Sequence, residues 1–323
     1  MFTYWKSQPA VFITFTQRYI RILVGGRKNE YIKFIQQVIE EGTFQSGQIV
    51  HEERLIQQLT SIIKKHKLQG LPTFFSFSQH DLLLRSTTIP QSVPPSEWKG
   101  HLYLELGESF HLPFSDPIIE IVGDNRAMGK DEVIALAVPE KDVNMIERIL
   151  TKAKLRPVII DVPFLSLYRL FAEMNKIEES AHVLLIHLEL DVMQLSMFND
   201  HKPVYVRTMG IRPFESFSGY ETRTGFQYIQ VDGNEMVLEG HLAIIEKEVA
   251  RLQSFYLYNL RNGKHAIDTI CITGDHPLLP KIASNLQTNE LLAVYQMTGD
   301  KWATKDGVHI PASFAELVGL SWK

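Results

Sequence analysis

The sequence predicts an α/β protein made of two similar halves that face each other across a cleft. Two stretches carry this prediction. Residues 181–210 read as three strands in succession: 183–190 is nearly all apolar, 192–198 and 203–209 alternate, and Asn199 and Asp200 supply turn chemistry between the last two. Residues 11–34 show the same order as VFITFT, a Gln17/Arg18 corner, YIRILV, a Gly25/Gly26 turn and NEYIKF. A chain of 323 residues that starts the same unit twice has room for two domains of about 150 residues each. Ligands favour clefts between such halves, so function turns on the corner between the first two strands of each copy.

Composition narrows the classes. Hydrophobic residues at 45 % and charged residues at 22 % are those of a soluble globular protein with a full core. A formal charge of -4 and scattered Lys and Arg argue against a nucleic-acid partner, which needs a dense basic face. The single cysteine, Cys271, lies inside the apolar run DTICIT and reads as a small buried hydrophobe, which points to a reducing, cytosolic compartment. No window approaches the roughly 18 consecutive apolar residues of a membrane helix, and MFTYWKSQPA has no signal-peptide pattern. Contact with a membrane is therefore expected only through a partner.

After the first three-strand unit, residues 52–68 place Leu55, Leu59, Ile62 and Ile63 on one helical face, with Lys64, Lys65 and Lys67 near the end and Gly70 as the C-cap. Strands follow at 73–77 and 82–88, split by Gln79, His80 and Asp81. TIPQSVPPSEW then reads as a rigid extended linker in which Ser96 and Glu97 start a helix running to about Gly107. LPFSDPIIEIV and DEVIALAVP are two more strands around a polar loop with Gly123 and Gly129, and 142–153 is helical. Residues 81–153 thus form a small inserted α+β unit, after which RPVIIDV and a helix over 163–174 return to the first half. Residues 211–233 lack a clear period and read as loop with one short strand, FQYIQV. A long helix spans 235–260 with Leu238, Leu242, Ile245, Val249, Leu252 and Phe255 in one stripe, either a packed surface helix or a coiled-coil seam. Strand DTICIT runs into Gly274, followed by helix PLLPKIASNL, strand LLAVYQM and a last helix around 313–320.

The phrases IPQSVPPSEW, LPFSDPIIEI and EVIALAVPEKDVNMIERILTKAKLRPVIIDVPFLSLYRL, together with the order of elements, resemble the PilM family of type IV pilus assembly proteins. That family belongs to the actin-like ATPase superfamily alongside FtsA. The resemblance covers about 12–322, is most specific over 89–170 and is diffuse over 211–233. It implies an actin-like fold of duplicated RNase H-like halves around a cleft. Residues 1–80 plus 154–178 would form the first half, 81–153 the inserted subdomain, 179–212 plus 264–323 the second half, and 213–263 a reduced fourth subdomain with the long helix.

The resemblance further implies ATP and Mg²⁺ held by two phosphate hairpins and an adenosine loop. Such corners need a carboxylate to order metal-bound water and glycine plus small hydroxyl residues, so that backbone N–H groups reach phosphate. This chain departs from the pattern at each part. The family's D-x-G-S-S-S becomes Thr14, Phe15, Thr16, Gln17, Arg18 and Tyr19, and the second hairpin offers His187 and Glu189, then Leu190 and Asp191. Glu189 would place a like charge beside phosphate, and Asp191 could hold metal only from a shifted register among bulky neighbours. The adenosine loop keeps Thr273, Gly274 and Asp275 where a double glycine is expected. Thr14, Thr16, His187, Glu189, Gly274 and Asp275 therefore line a vestigial cleft. No cofactor is expected, although the resemblance implies ATP with Mg²⁺.

Nothing else in the sequence carries catalysis. The 12 histidines form no H-E-x-x-H and no close carboxylate cluster, so no metal site is expected. His182 and His187 point to opposite faces of a strand. Gly263 and Lys264 lack the rest of a P-loop, and Ser218 lacks a G-x-S-x-G frame. Arg207 reads as a structural ion-pair residue. Phe75 reads as core, while Phe74 and Phe77 stand open between core and a peptide groove.

The expected function is a cytoplasmic, non-enzymatic scaffold at the inner face of the membrane, a pseudo-ATPase of a pilus assembly complex. Its implied partner is the N-terminal cytoplasmic tail of a PilN-like membrane protein. The groove for that tail is expected between the first subdomain and the inserted one, along 82–93, held extended by Pro90, Pro94 and Pro95, with Leu83, Ile89, Val93, Phe74 and Phe77 as contacts. The alternative is an active ATP-binding switch, or an ATPase that polymerises as FtsA relatives do.

Overall fold

In the computed structural model, the described residues are 8–26, 30–45, 47–77, 82–125, 131–211, 214, 217–231, 235–288 and 290–323. In chain order the elements are β1 (Ala10–Phe15), β2 (Tyr19–Gly25), β3 (Tyr31–Val38), the two-residue strands β4 (Phe44–Gln45) and β5 (Gln48–Ile49), α1 (Glu52–Lys65), β6 (Pro72–Ser76), β7 (Leu83–Thr88) and α2 (Trp98–Leu104). Then come β8 (Pro117–Asp124), β9 (Glu132–Pro139), α3 (Glu140–Lys152), β10 (Arg156–Asp161) and α4 (Pro163–Glu173). The second part of the chain has β11 (His182–Leu188), β12 (Val192–Asn199), β13 (Lys202–Gly210), β14 (Phe217–Glu221), β15 (Gln227–Val231), α5 (Glu235–Phe255), β16 (Thr269–Gly274), α6 (Leu279–Gln287), β17 (Ala293–Gln296) and α7 (Ala315–Ser321).

The two main sheets have the same plan. One runs β3-β2-β1-β6-β10 and the other β13-β12-β11-β16-β17. In each, the first three strands pair antiparallel and the last two join in parallel. The duplication inferred from the two three-strand stretches thus extends to five strands per sheet. A third sheet, β7-β9-β8, is inserted after β6.

Strands β1 and β2 are buried at every position because both faces of their sheet are covered. Val11, Ile13 and Phe15 pack with the α1 residues Leu55, Leu59 and Ile63, while Phe12 and Leu23 face the α4 and α7 residues Leu167, Phe171 and Leu320. Strand β11 divides likewise by its period of two. Val183 and Leu185 join the α4/α7 layer, and Leu184, Ile186 and Leu188 join Leu242, Ile245, Val249 and Leu252 of α5. The α5 stripe is therefore a packed helix face. Helices α4 and α7 occupy the shared layer between the sheets. They cross so closely at Gly319 that a Cβ there would lie 2.1 Å from the Ser166 carbonyl oxygen.

Several local expectations are corrected. Helix α1 ends at Lys65, earlier than expected, because Lys67 adopts the left-handed conformation (φ 55°) and Leu68 N–H closes on the Ile63 carbonyl; Gly70 lies beyond the cap. Gly123 lies within β8 at a register shift, and residues 90–97 are not an extended linker. Val93 N–H bonds the Pro90 carbonyl and Glu97 N–H bonds the Pro94 carbonyl, making two tight turns. The stretch 211–233 holds a two-stranded hairpin, β14 and β15, where one strand was expected. Helix α5 stops at Phe255 and continues as a π-helical turn, Tyr256–Leu260. Gln79, His80, Asp81, Gly129 and Gly233 lie outside the described residues.

Candidate functional site

The two corners meet tip to tip. In the first, Thr16 N–H bonds the Tyr19 carbonyl (2.9 Å), and Thr16 Oγ1 accepts from the N–H groups of Arg18 (3.1 Å) and Tyr19 (2.9 Å). The hydroxyl is spent on the turn itself. In the second, Glu189 N–H bonds the Val192 carbonyl at 2.8 Å. Arg18 of the first corner then grips Asp191 of the second with both Nε and Nη2, the latter at 3.1 Å from Oδ1.

Behind this pair lies Arg21, only 1 % exposed. It stands in β2, a strand otherwise made of Tyr, Ile, Leu, Val and Gly. A guanidinium there needs a full set of acceptors. Its Nε donates to Gln36 Oε1 (2.8 Å), Nη1 to Glu189 Oε1 (3.1 Å) and Nη2 to Asp275 Oδ2. Arg18 and Arg21 therefore tie the first sheet to three points of the second half: the corner at Asp191, Glu189 just before it, and Asp275 just after β16.

The β14–β15 hairpin closes on the same edge. Gln36 Nε2 donates to the Gln227 carbonyl (2.8 Å), Gln37 Nε2 to the Gly225 carbonyl (2.7 Å), Val38 N–H to Gln227 Oε1 (2.9 Å) and Ile229 N–H to Tyr19 Oη (2.8 Å). Between the corners, the space lined by Phe15, Thr16, Gln17, Glu189, Val192 and Thr208 is about 10 Å³. That holds about one water, whereas ligand pockets occupy some 300 Å³ or more.

Burial sets the protonation of this centre. His187 is pushed down to about 3 by burial, with Arg21 adding to the shift, so its imidazole is neutral. Burial pushes Glu189 up to about 8 against the pull of Arg21, with the neighbouring carboxylates adding to the rise, and burial also raises Glu316. For Arg21 itself burial opposes the charge, yet Asp275 and Glu189 outweigh it and hold the guanidinium above its ordinary value. Burial raises Tyr19 to about 12, keeping the phenol protonated.

Of the six residues expected to line the cleft, His187, Glu189 and Asp275 meet around Arg21, and Thr16 borders the small space beside Glu189. Thr14 is buried beside them and donates its hydroxyl to the Ser76 carbonyl at 3.2 Å. Gly274 (φ 137°) serves close approach: a Cβ would sit 1.8 Å from the Leu188 carbonyl oxygen. Glu189, expected to bring a like charge beside phosphate, accepts from Arg21, and Asp191 is an ion-pair partner of Arg18. Arg207 does pair, with Glu248 Oε2 at 3.6 Å, and Cys271 is buried with its thiol pushed up by burial, hence inert. Sequence reasoning missed Arg21, Gln36 and Glu316. The signal for Arg21 was available as a lone charge inside an apolar strand, whereas Glu316 and Gln36 are ordinary in sequence and acquire their positions only through packing.

The expected groove contacts separate. Leu83 and Val93 are half-buried. Ile89 is a correction: it is fully buried in the inserted subdomain with Trp98, Leu102 and Phe110, because the turn at 90–93 directs it inward. Phe74 and Phe77 are corrections too, since both are buried: Phe74, on β6, packs 5.1 Å from the Phe12 ring, and Phe77, just past the end of β6, joins the α1 side of the core. A cavity of about 280 Å³ lies instead between the inserted sheet and the second half, lined by Leu84, Ser86, Ile134, Lys202, Leu260 and Arg261 among others.

No protein-family model matches the sequence, and no curated protein matches it as a relative. Solved structures do match. A chain of the PilM-PilN type IV pilus biogenesis complex superposes with a TM-score of 0.74 at 15 % identity, covering 97 % of both chains. The ethanolamine utilization protein EutJ from Carboxydothermus hydrogenoformans superposes with a TM-score of 0.51 at 7 % identity, covering 98 % of this chain and 89 % of its own. Among the described residues, no helix is long and apolar enough to cross a membrane. With its duplicated five-stranded sheets, shared α4/α7 layer and inserted three-stranded sheet, the chain has an actin-like fold, the fold it shares with that chain of the PilM-PilN complex.

Proposed function

We propose that this protein is a cytoplasmic scaffold of a type IV pilus assembly machine, peripheral to the inner face of the membrane, and that it holds the tail of a PilN-like membrane protein without using ATP. The observation that carries the second half of this reading is the pair of arginines across the cleft. Arg18 and Arg21 bring positive charge to the two corners, where a Mg²⁺-bound nucleotide would otherwise supply it. ATP with Mg²⁺ does not fit these residues: both corners are engaged by ion pairs, the hydroxyl of Thr16 is committed to its own turn, and the space bordered by Thr16 and Glu189 is only about 10 Å³. Calorimetric titration of the purified chain with ATP and Mg²⁺ is expected to show no saturable heat at nucleotide up to about 1 mM. Micromolar affinity would overturn the sealed cleft in favour of a nucleotide switch.

For the partner, the likeness to a chain from a PilM-PilN complex supports a PilN-like protein. Strand β7 is an edge of the inserted sheet, and Leu84 and Ser86 on it border the 280 Å³ cavity. An extended tail adds to such an edge through backbone hydrogen bonds and places alternate side chains in the cavity. Fluorescence anisotropy with the N-terminal peptide of the membrane protein encoded beside this one tests it. Saturable binding is expected for the wild type. Ser86→Trp, at an exposed position, should bind about tenfold more weakly, about 1.4 kcal/mol. If the wild type ignores the peptide the partner is wrong, and if the variant binds equally well the edge is wrong.

A further inference from the structure

Three side chains converge in the sealed centre, and one of them, Glu316, has an unsatisfied oxygen there. His187, Glu189 and Glu316 each offer one ligand atom, and these atoms lie within 4.8 Å of one another, all on buried residues. His187 Nε2 stands 4.0 Å from Glu189 Oε1. Glu316, on α7 and 3 % exposed, has its Oε1 buried without a hydrogen-bond partner, although the hydroxyls of Ser76 and Thr14 lie close enough to the carboxylate to favour its ionised form. Thr273 Oγ1, on the strand position registered with His187, is buried and without a partner as well, as is Asp275 Oδ1. Buried polar atoms are rarely left in this state, and such atoms call for a water or an ion to pair with them.

Charge is compatible with this: ionised around a bound cation, Glu189, Asp275 and Glu316 would face Arg21, the buried cation among the described residues here, and one divalent ion would balance the two remaining negative charges. We propose that His187 Nε2, Glu189 and Glu316 bind one divalent transition-metal cation of the Zn²⁺ class in the absence of nucleotide. An imidazole nitrogen beside two carboxylate oxygens suits Zn²⁺ and its neighbours, whereas Mg²⁺ and Ca²⁺ take oxygen ligands. Ligand atoms around a tetrahedral Zn²⁺ with bonds of about 2.0–2.2 Å lie about 3.4 Å apart, so the three groups need close by only about an ångström. Arg21, bonded to Glu189, is the outer partner that holds that carboxylate in place. The ion would join β11 of the second half to α7 of the shared layer, a structural role, and no reaction is assigned to it.

The proposal rests on the cleft being sealed and is tested without ATP. The full chain is stripped with EDTA and then offered Zn²⁺, both in the native state and during refolding from urea, in competition with a chromophoric chelator. One Zn²⁺ per chain and a raised melting temperature are expected, with Mg²⁺ producing neither. Co²⁺ loading should give the visible absorption of a low-coordinate nitrogen/oxygen site. Glu316→Gln and His187→Asn should each lower Zn²⁺ affinity at least about tenfold. Failure of the wild type to take up Zn²⁺ by either route overturns the site, whatever the variants do. Undiminished uptake by the folded variants places the ion elsewhere and overturns it equally. If Zn²⁺ is taken up only together with ATP, both the nucleotide-free site and the sealed cleft fall; if neither binds, the metal site falls and the sealed cleft stands.

Discussion

Arg21→Met is expected to destabilise the protein by about 3–5 kcal/mol, because it strands the buried Glu189 and the largely buried Asp275 without their cation. Two comparisons separate this mechanism from lost packing. Methionine keeps most of the apolar stem, so the loss is one of charge. Arg21→Lys keeps the charge but has no planar fork to reach Gln36, Glu189 and Asp275 together, and should recover only part of the stability. Arg18→Ala removes the other cross-cleft pair, yet the Arg18 side chain is 26 % exposed, and water screens what it contributes to about 1 kcal/mol. Combining Arg21→Met with Glu189→Gln and Asp275→Asn should restore much of the loss, since a neutral set costs less to bury than orphaned charges. The measurement is the midpoint of urea unfolding followed by far-ultraviolet circular dichroism. An Arg21→Met loss below about 1 kcal/mol would show that the guanidinium does not hold the halves together.

The second large effect is expected at Gly274. Alanine there would put its Cβ 1.8 Å from the Leu188 carbonyl oxygen and 2.5 Å from the carbonyl carbon, at a φ of 137° that side-chain-bearing residues scarcely adopt. That carbonyl also accepts from Asp275 and His276, so it cannot retreat without breaking the turn that aims Asp275 at Arg21. The combined strain should exceed about 4 kcal/mol, enough to leave Gly274→Ala unfolded or molten. Gly263→Ala is the control, because its φ of 76° is also left-handed but nothing lies within 4 Å of the new methyl; about 1–2 kcal/mol is expected there. If Gly274→Ala melts within about 3 °C of the wild type, the close approach is wrong. Strand packing by itself requires a glycine at this position.

How far the sequence was legible differs between fold and site. Periodicity located the halves, because three strands in a fixed order with a corner and a turn leave a local pattern that appears twice, and the stripe of α5 fixed its buried face. The hairpin β14–β15 was half missed, since its strands alternate weakly and are held mainly by Gln36, Gln37 and Tyr19 from the distant β2–β3 edge. Residues 90–97 were misjudged because proline fixes φ and is as compatible with tight turns as with an extended linker. Ile89 followed from that error.

By itself, the sequence determined that neither corner carries the aspartate and glycine that the resemblance implies for a phosphate hairpin, because those residues are read one by one in a short motif. It could not determine what had replaced their function. Arg21 lies 168 residues from Glu189 and 254 from Asp275, and Glu316 lies on the last helix. Pairing over such separations is set by how two sheets and the α4/α7 layer stack, not by any local spacing. Tertiary structure alone turned a list of missing ligands into a closed ionic centre, because a buried charge is explained only by the groups that the fold brings within hydrogen-bond reach of it.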